Sequence, residues 1–286
     1  MAHVDIPRPR RSALYMPASN ARAIAKARSI DCDVVILDLE DAVAPDMKAD
    51  ARAQAVAAIR EGGFGRRELV VRVNAPDTAW GVDDLAALAA ARPDAVLVPK
   101  ICDADDVAAC VAALGGAVPV WAMVETTHAV LGIAAVAAAP GLAALVMGAN
   151  DLAKEMGARP GPARTPLLGF LAATVAAARA HGLAVLDGVY NGISDEDGFA
   201  RECAQGVEFG FDGKTLIHPS QVAGCNRAFS PDAAEIAWAE AVVRAFADPD
   251  AADKGAIRLD GRMVERLHLD SAQRTLAIAR AIGCMA

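Results

Sequence analysis

Six short apolar runs in this chain end in side chains that can carry charge or move a proton. DVVILDLE ends in Asp38-Leu39-Glu40-Asp41, ELVVRVN in Arg72-Val73-Asn74 and AVLVPK in Lys100. VPVWAMVE ends in Glu125, LAALVMGAND in Asn150-Asp151, and FDGKTLIHP carries His218 near its end. A single charge after an apolar run is a solvated loop residue, but its recurrence at the same point of the pattern needs another reason. The set is rich in carboxylates and poor in imidazoles. His3, His128, His181, His218 and His268 form no H-x-x-x-H pair, which argues against a histidine-rich zinc site. Glu125 and Asp151 suit a hard cation, Mg²⁺ more than Ca²⁺, with waters and substrate oxygens completing the octahedron. The same two carboxylates would equally serve as ion-pair partners of Arg72 and Lys100 with no metal. Gly148-Ala149-Asn150-Asp151-Leu152 opens a helix whose free N–H groups suit a carboxylate. Arg72 offers the same anion a planar two-point clamp. Asp38, Glu40, Asp41 and Lys100 stand behind these residues, either supporting the site or forming a structural charge network at its mouth.

Other chemistries fit less well. No G-x-S-x-G elbow occurs. Gly213-Lys214-Thr215 resembles the end of a phosphate loop, but the earlier glycine such a loop requires is Glu208. Gly63-Phe64-Gly65 leads into Arg66, Arg67 and Glu68, a turn without a dinucleotide fingerprint. Lys100 would suit a Schiff base, yet acidic neighbours favour its ammonium form and an ion pair.

The elements that must position these residues follow from the runs themselves. With SALYMP (12–17) and AVLDGVY (184–190) added there are eight, nearly continuous in hydrophobicity, as parallel strands buried on both faces require. Alanine-rich helical segments separate them. Eight strand-helix units in about 220 residues predict a (β/α)₈ TIM barrel, whose active site lies at the C-terminal strand ends. A doubly wound sheet would want a glycine-rich first turn, and Tyr15-Met16-Pro17-Ala18 is not one. The barrel is expected over residues 1–225, with a C-terminal helical extension over 226–286. That extension comprises a helix from Ser230-Pro231 to Ala247, a short segment AIRLDGRMV (256–264) and a last helix through Ala281. It reads as too short for a core of its own, and so as packing on a neighbouring subunit or capping the barrel.

Composition narrows the partners. Lys+Arg 28 against Asp+Glu 36 leaves a net charge of -8, and aromatics are 4%, so neither a basic footprint nor a stacking platform for nucleic acid is present. Hydrophobic residues at 55% suffice for a large core. The six cysteines form no C-x-x-C pair and the start shows no secretory h-region, the pattern of reduced thiols in a cytoplasmic protein. The uncharged stretch 129–149 has the length of a membrane span, but Pro140-Gly141 divides it. It reads as a buried helix, a turn and a core strand, with no membrane association.

Several of these segments, in this order, carry a family resemblance. They are Arg10-Arg11-Ser12 with Leu14 and Pro17, Asp38-Leu39-Glu40-Asp41-Ala42-Val43-Ala44-Pro45 with Lys48, Arg72-Val73-Asn74, Pro99-Lys100, Glu125-Thr126, Gly148-Ala149-Asn150-Asp151-Leu152 and His218-Pro219. Together they resemble the citrate lyase β-subunit family, which includes malyl-CoA and citramalyl-CoA lyases. The resemblance implies a Mg²⁺ held by Glu125 and Asp151, and Arg72 with Asp151 and Leu152 binding a 2-oxo acid. An acyl-CoA thioester would be the other half, with Arg22 and Lys26 near its phosphates or simply solvated on a helix face. It implies cleavage of a citramalyl-, malyl- or citryl-CoA type of 3-hydroxyacyl thioester to acetyl-CoA and a 2-oxo acid, in a homo-oligomer, a trimer by preference. In the family's lyases a G-x-M-I-D segment of the tail brings an aspartate to the adjacent subunit's site. Here the segment is Gly261-Arg262-Met263-Val264-Glu265, so Glu265 becomes the expected proton-transferring carboxylate, longer by one methylene. That departure keeps open a malyl-CoA-type thioesterase, beside a citrate lyase β subunit acting on a carrier thioester and a non-catalytic binding barrel.

Overall fold

The computed structural model of the chain describes residues 8–251 and 254–283. It divides into two compact units, Arg10–Ala228 and a second from Phe229 onward. In the first, strands and helices alternate: β1 (Ser12–Pro17), α1 (Ala21–Ala27), β2 (Val34–Asp38), α2 (Lys48–Glu61), β3 (Glu68–Arg72), α3 (Gly81–Ala91), β4 (Ala95–Val98), α4 (Ala104–Ala113) and β5 (Val120–Val124). Then follow α5 (Thr127–Leu131), α6 (Ile133–Ala137), β6 (Leu142–Met147), α7 (Ala149–Glu155), α8 (Leu168–Ala180), β7 (Ala184–Asp187), α9 (Glu196–Phe209), β8 (Gly213–Leu216) and α10 (Gln221–Ala228). The strands are parallel and close in sequence order, β8 pairing with β1, which is the expected (β/α)₈ barrel. Residues 129–149 form helix, turn and core strand as their sequence suggests, and no helix among the described residues is long and apolar enough to cross a membrane.

The barrel interior explains where chemistry can sit. Ala13, Val34, Ile36, Val70, Leu97, Trp121, Met123, Val146 and Leu186 pack into one apolar cluster. Successive side chains of a strand alternate between faces. Two residues past Ile36, Val70, Met123 and Val146, the inward series therefore reaches Asp38, Arg72, Glu125 and Gly148. The apolar layers end and a polar layer begins at the C-terminal mouth.

A second charged cluster lies under β7 and β8. Lys214 is 0% exposed; its Nζ donates to Asp187 Oδ2 at 2.9 Å and Glu202 Oε1 at 2.6 Å. Arg164 Nη1 donates to Asp187 Oδ1 at 2.7 Å. Burial alone would raise the Asp187 pKa, but the two cations hold it below the ordinary value. Lys214, part of the failed phosphate-loop pattern, is thus a core cation of β8.

The second unit corrects one expectation. It contains α11 (Ala233–Ala247), an antiparallel hairpin of β9 (Ala256–Leu259) and β10 (Arg262–Glu265), and α12 (Arg266–Ala281). These have a core of their own: Ala239, Val242 and Phe246 of α11 pack with Val264, Ala272 and Leu276. Each segment alone is too short to bury an apolar face, but two helices closing on a hairpin are not. The Asp260-Gly261 turn that joins the hairpin puts both residues at positive φ, 47° and 79°, which glycine tolerates without strain. Asp232 caps α11 in a reciprocal capping box with Glu235.

Candidate active site

A cavity of about 350 Å³ opens at the C-terminal strand ends, its wall including Tyr15, Asp38, Asp41, Arg72, Met123, Gly148, Asp151 and Asn191. Glu125 stands beside it on the inward face after β5, 1% exposed. Its Oε1 accepts the Lys100 backbone N–H at 2.8 Å and lies 3.2 Å from Lys100 Nζ. The same ammonium is 3.1 Å from Asp151 Oδ1, so Glu125 and Asp151 converge on one cationic position. Glu125 Oε2 is buried without a hydrogen-bond partner. Burial raises the Glu125 pKa, with Lys100 opposing it. Burial also works against the Lys100 charge, but the two carboxylates hold its pKa above the ordinary value. Lys100 is one of the few non-glycine residues at positive φ, 58°, a conformation fixed by this turn from β4.

Gly148 fits the site by its lack of a side chain. It follows Met147, which pairs with Val124, so it faces Glu125 across the β5–β6 ladder. A Cβ there would lie 2.4 Å from Glu125 Cβ and 2.6 Å from Oε2. α7 begins at Ala149, and carries Asp151 in its first turn with Leu152 buried beneath. Asn150 and Asn191 exchange amide hydrogen bonds of 3.2 and 2.9 Å, tying the start of α7 to the loop after β7 at the rim.

Arg72 is placed at the cavity, but its geometry corrects the expected clamp. β2 and β3 pair with Asp38 opposite Arg72. Arg72 Nε and Nη2 donate to Asp38 Oδ1 and Oδ2, both at 2.7 Å. The planar two-point edge is therefore committed to Asp38, and Nη1 donates weakly to Asp41 Oδ2 at 3.5 Å and Met123 Sδ at 3.9 Å, the pair that a ligand entering the cavity would compete with. Nη1 lies 2.6 Å from Glu40 Oε2, at an angle that leaves that oxygen without a hydrogen bond. Burial pushes the Glu40 carboxyl up to about 8, with Arg72 opposing. Burial also disfavours the Arg72 charge, but Asp38 more than compensates and keeps its pKa well above the ordinary value. Asp38 accepts two further backbone N–H groups, from Glu40 and Ala42, and Lys48 Nζ donates to the carbonyls of Leu39 and Glu40. The Asp38–Ala42 turn is thus pinned from both sides.

Within the barrel unit, Arg22, Lys26 and His218 are not part of the cavity wall. Arg22 and Lys26 are exposed on α1, whose cap Asn20 accepts the N–H groups of Arg22 and Ala23. His218 is exposed after β8, its Nδ1 2.8 Å from Ser220 Oγ. Glu265 ends β10 and begins α12, and its N–H donates to His268 Nδ1 at 2.9 Å. Sequence reading missed Tyr15, and took Gly148 only as part of the segment that opens a helix, without its packing against Glu125. The signal for both was parity: Tyr15 is two residues past Ala13, and Gly148 two past Val146, on the inward face.

Residues 11–219 match the family described as HpcH/HpaI aldolase/citrate lyase. The chain is 48% identical over 275 residues to a (3S)-malyl-CoA thioesterase of Cereibacter sphaeroides, covering 96% of both chains. It is 34% identical over 296 residues to an L-malyl-CoA/β-methylmalyl-CoA lyase of the same species, covering 93% of each. Among solved structures it resembles the CitE protein of Mycobacterium tuberculosis in complex with magnesium, acetoacetate and coenzyme A, with a TM-score of 0.79, 32% identity, and coverage of 96% of this chain and 98% of that one.

Proposed function

The chain belongs to the HpcH/HpaI aldolase/citrate lyase family and is an enzyme, and we propose that it hydrolyses the thioester of a malyl-CoA-type 3-hydroxyacyl-CoA. The observation that carries this reading is the higher identity, along nearly the whole chain, to the thioesterases than to the lyases. It reverses the order of preference that the sequence motifs suggest. Glu265, in place of the lyases' aspartate, agrees with it.

The residues present fit a magnesium ion. Glu125, through Oε1, and Asp151 already meet at a cationic group, and the other oxygen of Glu125, Oε2, is buried without a partner. Glu125 and Asp151 would hold the ion, which when bound supplies Lewis-acid polarisation of the head-group oxygens. The chain's own groups do the rest. Arg72, fixed by Asp38, sets a positive charge beside the carboxylate of the hydroxyacyl head. Lys100 holds the Glu125 carboxylate in place through its backbone N–H. Hydrolysis then adds a water oxygen to the thioester carbon and breaks the C–S bond, and the departing sulfur takes a proton to give free CoA and a hydroxy acid. Glu265 of the partner subunit is the carboxylate we place over the thioester to move that proton. Arg22 and Lys26 are proposed contacts of the CoA phosphates, in a cytoplasmic homo-oligomer.

Carbon–carbon cleavage is the second reading, favoured by the similarity to lyases of the same head group. Incubating the protein with malyl-CoA and Mg²⁺ separates the two. Free CoA and malate are expected; acetyl-CoA with glyoxylate as the main products would overturn hydrolysis in favour of the lyase.

A further inference from the structure

Tyr15 is the inward residue of β1 at the level where the apolar barrel layers give way to charge. Its ring forms part of the cavity wall, and the Arg72 guanidinium lies over it, Cζ 4.8 Å from the ring centroid. Its hydroxyl is buried and has no hydrogen-bond partner among the described residues. Buried tyrosine hydroxyls are nearly always bonded, because an unpaired one loses its water without replacement. A purely structural residue at this position would be bonded to its surroundings, or would be phenylalanine.

Several side-chain donors of the wall are already engaged. Arg72 has given Nε and Nη2 to Asp38. Thr215 donates to the Asp187 carbonyl at 3.1 Å, and Asn150 and Asn191 donate to each other. The wall is otherwise supplied with acceptors, the carboxylates Asp38, Asp41 and Asp151. An anionic head group drawn in by Arg72 meets in Tyr15 an O–H donor that is still free. Burial keeps the Tyr15 pKa above its ordinary value, so the phenol retains its proton.

We propose that Tyr15 is a ligand-contacting residue whose O–H donates to an oxygen of the carboxylated head group bound in this cavity. The inference rests on the reading of the cavity as the site of that head group. It makes Tyr15, with Arg72 stacked on its ring, the recognition element for a 2-hydroxy or 2-oxo acid.

The test is Tyr15→Phe, which deletes one oxygen and leaves the ring beneath Arg72. Binding of pyruvate and of malate in the presence of MgCl₂ is measured by calorimetry for both proteins, and thermal unfolding of each is followed without ligand. A hydrogen bond to a charged group implies about a ten- to hundredfold weaker affinity for both acids in the variant. Because no bond inside the protein is lost, the unliganded melting temperature should be unchanged or higher. Unchanged affinity, or a weaker affinity accompanied by a lower unliganded melting temperature, would overturn the inference, the latter by showing that the hydroxyl is bonded within the fold. A wild-type protein that binds neither acid would remove the reading of the cavity itself, and this inference with it.

Discussion

Replacing Glu125 by glutamine separates two costs that the wild-type residue combines. The carboxylate is 1% exposed with one oxygen unpaired, and its pKa is raised by burial. A group whose folded pKa lies above its unfolded one, near ~4.3, contributes its stability fully below that value and loses it as pH rises through the folded pKa. Above that folded pKa, in chelator-treated buffer, the wild type therefore carries a desolvated charge that the amide would not. Against this, Lys100 loses one carboxylate and keeps Asp151 at 3.1 Å. The Lys100 side chain is 41% exposed, so solvent screening limits that loss to about 1 kcal/mol. The metal-free variant should then be about as stable as the wild type, or more so. With Mg²⁺ a hundredfold above its dissociation constant, the wild type should gain ~2.7 kcal/mol, or roughly 5–10 °C in melting temperature. Glu125→Gln should gain almost none of it. Thermal unfolding followed by circular dichroism, with and without MgCl₂, reads both numbers. A variant that keeps the wild-type gain would refute Glu125 as a ligand. One that is several kcal/mol less stable without metal would refute the balance of costs.

Three further outcomes are expected. Arg72→Lys cannot reproduce the two 2.7 Å bonds to Asp38; it should cost about 1–3 kcal/mol in urea unfolding and weaken pyruvate binding while leaving CoA binding unchanged. Lys214→Met leaves the Asp187 and Glu202 carboxylates buried with Arg164 alone, and should cost about 3–5 kcal/mol in the same assay. Mixed oligomers of Glu265→Gln and Arg72→Ala chains, each inactive alone, should regain activity if the site is shared between copies; mixing that restores nothing would place Glu265 within its own chain's chemistry or outside the mechanism.

Most of the barrel was legible because its eight strands are buried on both faces and so read as uninterrupted apolar runs. The identities of the mouth residues were legible for the same reason, since a charge directly after such a run is conspicuous. Their pairings were not. Whether Arg72 meets a ligand or Asp38 depends on the stagger between β2 and β3, and one residue of slip would separate them. Tyr15 was hidden because an aromatic inside an apolar run is ordinarily core, and only the parity of the strand with its unpaired hydroxyl distinguishes it. The Arg164–Asp187–Lys214–Glu202 cluster draws on four separate segments, none of which looks unusual alone. The core of the second unit was hidden similarly, its apolar residues being divided between two helices and a hairpin that no local pattern joins.

Which bond breaks depends on which groups are free to take a proton. Cleaving the carbon–carbon bond requires a base at the hydroxyl of the head group and an acid at the departing carbon. Along the described cavity, Asp38 is committed to Arg72 and two backbone N–H groups, and Glu125, bonded to Lys100 through Oε1, is with Asp151 proposed to hold the metal. Glu40, pushed up to about 8, holds its proton at neutral pH and is a poor base there. Asp41 is 71% exposed, so water screens it. Hydrolysis asks less of these groups: the head need only be held, and the proton transfers move to the thioester. On the proposed reading that step falls to Glu265, whose side chain is one methylene longer than the lyases' aspartate. Glu265→Asp, which restores the lyases' residue, should accordingly raise the share of acetyl-CoA among the products of malyl-CoA; an unchanged product ratio would show that the choice of bond lies in the barrel wall instead.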